Sequence, residues 1–339
     1  SYNIAVLSGD GVGPEVVAEA LKVLDSLKTP FPNLTLVLTE YPVGAKCYTE
    51  TGSDLPEDTL KACRDSDAIL FGSAGDPDVR FPDGTEITPQ ITLRFVLDLY
   101  AGIRPIKRFP GIPPLLADDP PIDYVIMREN TEGLYASCGA GVSVGDDVAV
   151  DNLVITRTGT ERIVRYAFET AGQRKGAPED RKRRVTCVDK ANILKSMAFF
   201  RKVYDQVAND YPDTERDYAY VDAFTVYQVK RPAYYDVVVA ENMFGDIISD
   251  LAAATIGGMG TAPSADVGGR YGVFQPSHGT GPDIAGQGIA NPLAQILSAG
   301  MMLTWLGARH DDQEAAAAAR AIDAAVGQVL EDPANHTAD

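Results

Sequence analysis

An α/β fold, with parallel strands joined by crossover helices, is predicted by three features of this 339-residue chain. Apolar, β-branched runs of strand length alternate with helix-length amphipathic segments through the first hundred residues. Buried strands end on polar residues, as in IDYVIMREN and YDVVVAEN, where open α/β sheets collect their ligands. The composition, 45% apolar and 23% charged, is that of an ordinary globular protein with a generous core.

Residues 3–7 read as the first strand and 14–28 as a helix opened by Pro14, a residue suited to the first turn. Between them, SGDGVGPEVV supplies Gly9, Gly11 and Gly13. It places Pro14 where the dinucleotide fingerprint G-x-G-x-x-G needs its last glycine. Two glycines fit that fingerprint and the third does not. Residues 34–39 read as strand, 57–64 as helix and 68–72 as strand. TPQITLRFVLDLY, residues 88–100, reads as a helix. Pro105 to Pro121 is proline-rich and reads as an extended loop, and 122–130 is a strand running into a polar turn. Residues 134–158, around GAGVSVGDD, have the pattern of a hairpin or arm. ERIVRYAFETA (161–171) is an amphipathic helix, QRKGAPEDRKRR a solvated loop and RVTCVD a buried strand. YDVVVAEN (235–242) is a strand, and FGDIISDLAAATIGG a helix stopped by Gly257 and Gly258. EAAAAARAIDAA (314–325) is a further helix, and no internal repeat is present.

Lys and Arg total 30 against 48 Asp and Glu, a net charge of −18 that argues against nucleic acid and anionic membranes as partners. A salt-adapted, acidic proteome accounts for the same charge. No stretch approaches the roughly 20 apolar residues of a membrane span, and no signal peptide precedes the first strand. Cys47, Cys63, Cys138 and Cys187 lie far apart without a C-x-x-C pair, as free thiols of a reducing compartment do. With only three histidines, a Cys/His zinc site is not expected. A cytoplasmic enzyme is the resulting expectation.

Three clusters could carry chemistry. Arg94, Arg104 and Arg128 lie on a helix, a following loop and a strand end, and arginine's planar fork suits carboxylate or phosphate. Asp246 and Asp250 are four residues apart in an apolar helix, so both carboxylates share one face. That pair suits a hard divalent cation, and equally an acidic surface patch. Asp222, in the strand-like YVDAF, is a third candidate. Lys190 directly follows a buried strand, as a base with a depressed pKa or as a snorkelling surface lysine.

GDGVGPEVV, LRFVLDLYAGIRP, RENTEGLY, VDKANIL, YVDA, NMFGDIISDLAA and HGTGPDIAGQGIANP stand in the order found in the β-decarboxylating dehydrogenases. The chain resembles that family, which contains isopropylmalate, isocitrate, homoisocitrate, tartrate and D-malate dehydrogenases, from Ile4 to about Gly307. The resemblance implies a two-domain α/β fold around one long mixed sheet, not a Rossmann fold. It implies a first domain of residues 1–99 and 256–339, and a second of 100–255 that holds the dimer interface and an arm near 136–157. It further implies a homodimer with shared active sites. Arg94, Arg104 and Arg128 would clamp the substrate carboxylates, and Asp246 and Asp250, with Asp222 of a second copy, would hold Mg²⁺ or Mn²⁺. Lys190, also of the second copy, would assist removal of the hydroxyl proton, and Tyr135 would help protonate C3. The loop His278, Gly279, Thr280, Gly281, Asp283 and Ile284, with Asn291 beyond it, would bind the adenosine of NAD. Asp283 and Ile284 stand where NADP-dependent relatives carry lysine and tyrosine, which implies NAD over NADP. SGDGVGPEVV would line the nicotinamide end.

The resemblance also implies that Thr88 and Gln90 occupy the positions that read the substrate's third substituent. Isopropylmalate enzymes place leucines at Gln90 and Ile91, and isocitrate enzymes place serine and asparagine at Thr88 and Gln90. A buried glutamine facing an isopropyl group lacks partners, at about 1–3 kcal/mol. A tartrate- or D-malate-like substrate is therefore expected first, with 3-isopropylmalate, isocitrate and homoisocitrate as alternatives. RENTEGLY and KRFPGIPPLLADDPPIDYVIMREN resemble the tartrate/D-malate branch in the same direction. Gln275, in FQPSHGT, replaces the glutamate of the usual FEPVHGS near the nicotinamide side. The chain stops at NHTAD, short of the usual terminal helix, which reads as a truncated tail. A non-catalytic regulatory subunit is the alternative of another class, opposed by the presence of Tyr135, Lys190, Asp222, Asp246 and Asp250.

Overall fold

The computed structural model describes residues 1–337, so the last two residues of the NHTAD end lie outside the described residues. The chain divides into two compact units, one of Ser1–Leu99, Phe109–Pro113 and Gly257–Asp339, the other of Tyr100–Arg108 and Pro114–Ile256. Five strands form the sheet of each unit, and parallel and antiparallel pairs occur in both, as the mixed sheet implied by the family resemblance requires.

The first unit begins with β1 (Tyr2–Gly9), which pairs in parallel with β2 (Leu36–Glu40) and β3 (Ala68–Ser73). Between β1 and β2 runs α1 (Gly13–Ser26), with Pro14 in its first turn and Val16, Val17, Ala20 and Leu24 on its buried stripe. Two short helices, α2 (Ala45–Thr51) and α3 (Glu57–Asp65), precede β3. The helix expected over 88–100 is shorter: α4 spans Pro89–Val96, and Asp98 takes a left-handed φ of 49° that no helix continues through. Leu97 and Leu99 then turn into the core beside Ile69, Phe71 and Leu93.

The second unit opens with β4 (Ala101–Lys107), antiparallel to β5 (Asp123–Glu129). The loop expected from Pro105 therefore begins later, and Arg104 lies in a strand rather than a loop. Proline and two basic residues obscure the alternation that buries Gly102, Arg104 and Ile106. The expected arm contains an exposed hairpin, β6 (Val142–Val144) with β7 (Val148–Val150). The helix α5 (Arg157–Gln173) follows, with the Thr156 hydroxyl accepting the Gly159 N–H at its start. Next come β8 (Arg184–Asp189), α6 (Lys195–Ala208), β9 (Glu215–Tyr220), α7 (Val221–Lys230), β10 (Val237–Ala240) and α8 (Asn242–Ala254). The order is β4-β5-β10-β8-β9, parallel except for β4. Asp222, expected in a strand, instead sits in the first turn of α7, where the helix dipole favours a carboxylate.

Returning to the first unit, β11 (Pro263–Val267) pairs antiparallel with β12 (Gly272–Pro276), which is parallel to β3. The order there is β2-β1-β3-β12-β11. The buried helix α9 (Leu293–His310) and the alanine-rich α10 (Gln313–Leu330) complete the unit. Among the described residues no helix is long and apolar enough to cross a membrane.

Candidate active site

In the second unit, β4, the carboxyl end of β5, the turn Leu134–Ser137 and α8 bring Arg104, Arg128, Tyr135, Asp246 and Asp250 to one place. Arg128, 2% exposed, ends the apolar β5. Its Nε and Nη2 donate to Asn242 Oδ1 at 2.9 and 2.7 Å, and its Nη1 donates to Asp246 Oδ1. Tyr135 donates its hydroxyl to the other Asp246 oxygen at 3.1 Å, and its ring lies beneath the Arg128 guanidinium, 5.3 Å from centroid to Cζ. The helix α8 passes this close because residue 245 is glycine: a Cβ there would sit 2.8 Å from Arg128 Cβ and Cγ. The buried Glu241 fixes the start of α8 by accepting the Phe244 and Met243 N–H groups at 2.7 and 3.2 Å.

Asp246 and Asp250 are one turn apart on α8. The carboxyl of Asp250 is held above its ordinary value, by partial desolvation first and then by the Asp246 charge, against the lowering effect of Arg104 and Arg128. No hydrogen-bond donor to Asp250 is present among the described residues. Two crowded carboxylates, one without a donor, form a hard oxygen site suited to a divalent cation. Among the described residues of this one chain, however, no three His, Cys, Asp or Glu side chains converge on a point. Lys190 and Asp222 form a separate pair: Lys190 Nζ donates to Asp222 Oδ1 at 2.5 Å, and this bond holds the Asp222 carboxyl below its ordinary value.

Glu129, adjoining Arg128, is a buried carboxyl pushed up to about 7 by desolvation. It accepts from Thr131 N, Thr131 Oγ1 and Glu132 N at 2.9, 2.6 and 2.6 Å, which fixes the turn leading to Tyr135.

The remaining predicted residues lie in the first unit. Arg94, on α4, donates through Nε to Asp266 Oδ2 at 2.9 Å, and it makes no other hydrogen bond among the described residues. Thr88 precedes α4 without capping it, and Gln90 has its Oε1 buried without a hydrogen-bond partner. The loop from His278 to Ile284 is mostly exposed, with the Asp283 carboxylate open to solvent. His278 Nδ1 contacts Gly279 O at 2.8 Å, and Gln287 donates to Asp283 O at 2.7 Å. Buried Asn291 accepts the Leu293 N–H at 3.0 Å through Oδ1, and so fixes the start of α9.

The opening glycine cluster braces this loop. Val12 N–H donates to Thr280 O at 2.8 Å. Gly11 has a φ of +59°, and a Cβ there would stand 2.0 Å from Thr280 O. Glu15, in the first turn of α1, accepts the Gly286 and Gly288 N–H groups. The buried Asp10 accepts from Ala45 N, Lys46 N and Gly75 N at 2.6, 2.9 and 2.9 Å. Asn242, Asp266, Asp10 and Glu15 went unread in the sequence, because Arg128, Arg94, Ala45 and Gly288, which they respectively hold, lie 114, 172, 35 and 273 residues away.

The family model described as isocitrate/isopropylmalate dehydrogenase matches residues 3–339. A 3-isopropylmalate/3-methylmalate dehydrogenase of Methanocaldococcus jannaschii is 45% identical over 90% of this chain and 86% of its own length. A 3-isopropylmalate dehydrogenase of Rhodococcus erythropolis is 43% identical over 95% and 94%. Among solved structures, isocitrate dehydrogenase from Methylococcus capsulatus superposes with a TM-score of 0.85 at 37% identity, covering 98% of this chain and 92% of that one. A β-decarboxylating dehydrogenase from Thermococcus kodakarensis gives 0.72 at 40% identity, covering 91% and 84%. The chain belongs to the isocitrate/isopropylmalate dehydrogenase family of β-decarboxylating oxidoreductases.

Proposed function

We propose that this protein catalyses NAD- and divalent-cation-dependent oxidative decarboxylation of a 3-alkylmalate, with 3-isopropylmalate or 3-methylmalate as the leading substrate. The observation that carries the substrate class is the 45% identity to a dehydrogenase named for those two acids. It moves the tartrate- or D-malate-like substrate expected from the sequence to second place. That second reading retains one specific support, the buried Gln90 Oε1, which has no partner and would suit a substrate offering a hydroxyl donor.

The Asp246 and Asp250 carboxylates fit Mg²⁺ or Mn²⁺, and exposed Asp283 fits ribose hydroxyls and disfavours a 2′-phosphate, which supports NAD. When bound, the cation supplies Lewis-acid polarisation of the substrate's C2 oxygen, and NAD accepts the hydride from C2. Arg94, Arg104 and Arg128 bind and orient the two carboxylates. Lys190 takes the C2 hydroxyl proton at Nζ. The bond from C3 to its carboxylate then breaks, CO₂ leaves, and the electron pair of that bond passes into the new ketone, giving an enolate. Tyr135 returns a proton from its hydroxyl to C3.

Lys190 and Asp222 would serve the site of a second copy, which completes the third acidic ligand missing within one chain. Exposed Val226 and Tyr227 on α7, Ile247 on α8 and the four valines of β6 and β7 are apolar surface suited to such a copy. The test is a panel of 3-isopropylmalate, 3-methylmalate, D-malate, tartrate and isocitrate with NAD and Mn²⁺. A 3-alkylmalate should give the highest kcat/KM, at least tenfold above tartrate and D-malate. Tartrate or D-malate ranking first by that margin overturns the substrate assignment.

A further inference from the structure

Gln275 lies on β12 and Asp266 on the adjoining β11, and both are buried with Arg94. One oxygen, Asp266 Oδ2, accepts from Arg94 Nε and from Gln275 Nε2, each at 2.9 Å. The Arg94 and Asp266 side chains are 7% and 1% exposed. Anchoring an arginine through Nε fixes the plane of its guanidinium and leaves the two terminal nitrogens to engage a ligand. Arg94 has that arrangement, with no other hydrogen bond among the described residues.

We propose that Gln275 is a positioning residue for substrate binding: its neutral amide lets one carboxylate, Asp266, hold Arg94 in the plane that presents its outer nitrogens to a substrate carboxylate. The proposal rests on the assignment of Arg94 as a carboxylate clamp. Neutrality is the essential property. An anionic oxygen in place of Gln275 Nε2 would stand about 3 Å from Asp266 Oδ2, and two carboxylates at that separation share one proton rather than both ionising. A neutral glutamic acid at 275 can donate to Asp266 as the amide does; an ionised one repels it and draws Arg94 toward itself. Replacing Gln275 by glutamate therefore converts a pH-independent clamp into a pH-dependent one.

The experiment compares wild type, Q275E, Q275L and R94A, using the panel acid turned over fastest, at saturating NAD and Mn²⁺, with KM and kcat followed from pH 6 to 9. Wild type and Q275L should show parallel pH profiles. Q275L should raise the hydroxy-acid KM about three- to tenfold, by loss of one donor to a charged group, with a smaller change in kcat. Q275E should approach the wild-type KM at pH 6 and lose affinity progressively as pH rises, and this recovery on acidification separates positioning from damaged packing. If R94A raises KM while the Q275E-to-wild-type KM ratio is constant across pH, the positioning role is overturned and the clamp stands. If R94A leaves KM unchanged, the clamp assignment falls, and the positioning role with it.

Discussion

Replacing Asp246 by asparagine should lower the stability of the metal-free protein and replacing Asp250 by asparagine should not, although both should abolish metal-dependent turnover. Asp246 has work to do without a cation: it accepts from buried Arg128 and from Tyr135. A hydrogen bond to a charged group contributes about 1.5–3 kcal/mol. The Asp246 side chain is 36% exposed, so solvent screening brings the loss in D246N down to roughly 1–2 kcal/mol. At about 2–4 °C per kcal/mol for a domain of this size, the midpoint should fall about 2–8 °C. Asp250 has no such donor, and its carboxyl sits above its ordinary value through desolvation and the Asp246 charge. A carboxyl raised on folding is a liability wherever it is ionised, and this liability fades as pH falls through its folded value. Removing the charge in D250N should therefore leave the midpoint unchanged or higher at pH 7.5. Thermal melts in EDTA and in millimolar Mn²⁺ provide the assay. Mn²⁺ should raise the wild-type midpoint, and neither variant should respond to the same degree. Equal shifts for the two variants in EDTA, or a D246N midpoint matching wild type, would refute the dual role assigned to Asp246.

Glu15→Ala should raise the KM for NAD about three- to tenfold while leaving the hydroxy-acid KM within twofold, because Glu15 holds only the 286–288 backbone; equal effects on both KM values would contradict this. Mixing and refolding inactive K190A and D246N proteins should recover about a quarter of wild-type activity, since half the dimers are mixed and each rebuilds one of two sites. No recovery would place Lys190 in the site of its own chain. Glu129→Gln should flatten the pH dependence of the midpoint: wild type loses stability as pH rises from about 4.5 to about 7, where Glu129 ionises at a cost in its buried site. An unchanged slope between pH 5 and 7.5 would show that Glu129 does not titrate there.

Side chains on one helix face or at a strand end were legible because local periodicity sets them: Asp246 with Asp250, Arg128 ending β5, and Lys190 following β8. The glycine cluster was legible as a turn but not as a brace, because the residue it touches, Thr280, is remote in the chain. Asp222 was misplaced because Tyr220 and Val221 have strand propensity, whereas the helix behind them is set by packing. Arg104 was assigned to a loop because Pro105 outweighed a strand whose partner, β5, appears only in the fold. Gln275 was visible as a departure from relatives, yet its partner Asp266 emerged only when β11 and β12 paired.

The central claim is that one chain type, with NAD and a divalent cation, oxidises C2 and releases the C3 carboxylate. Its most direct test measures NADH and CO₂ together from 3-isopropylmalate, in Mn²⁺ and in EDTA. Equal amounts of NADH and CO₂ in Mn²⁺, with neither in EDTA, is the predicted result. NADH without CO₂, turnover that survives EDTA, or no turnover of 3-isopropylmalate or any other acid of the panel would contradict it.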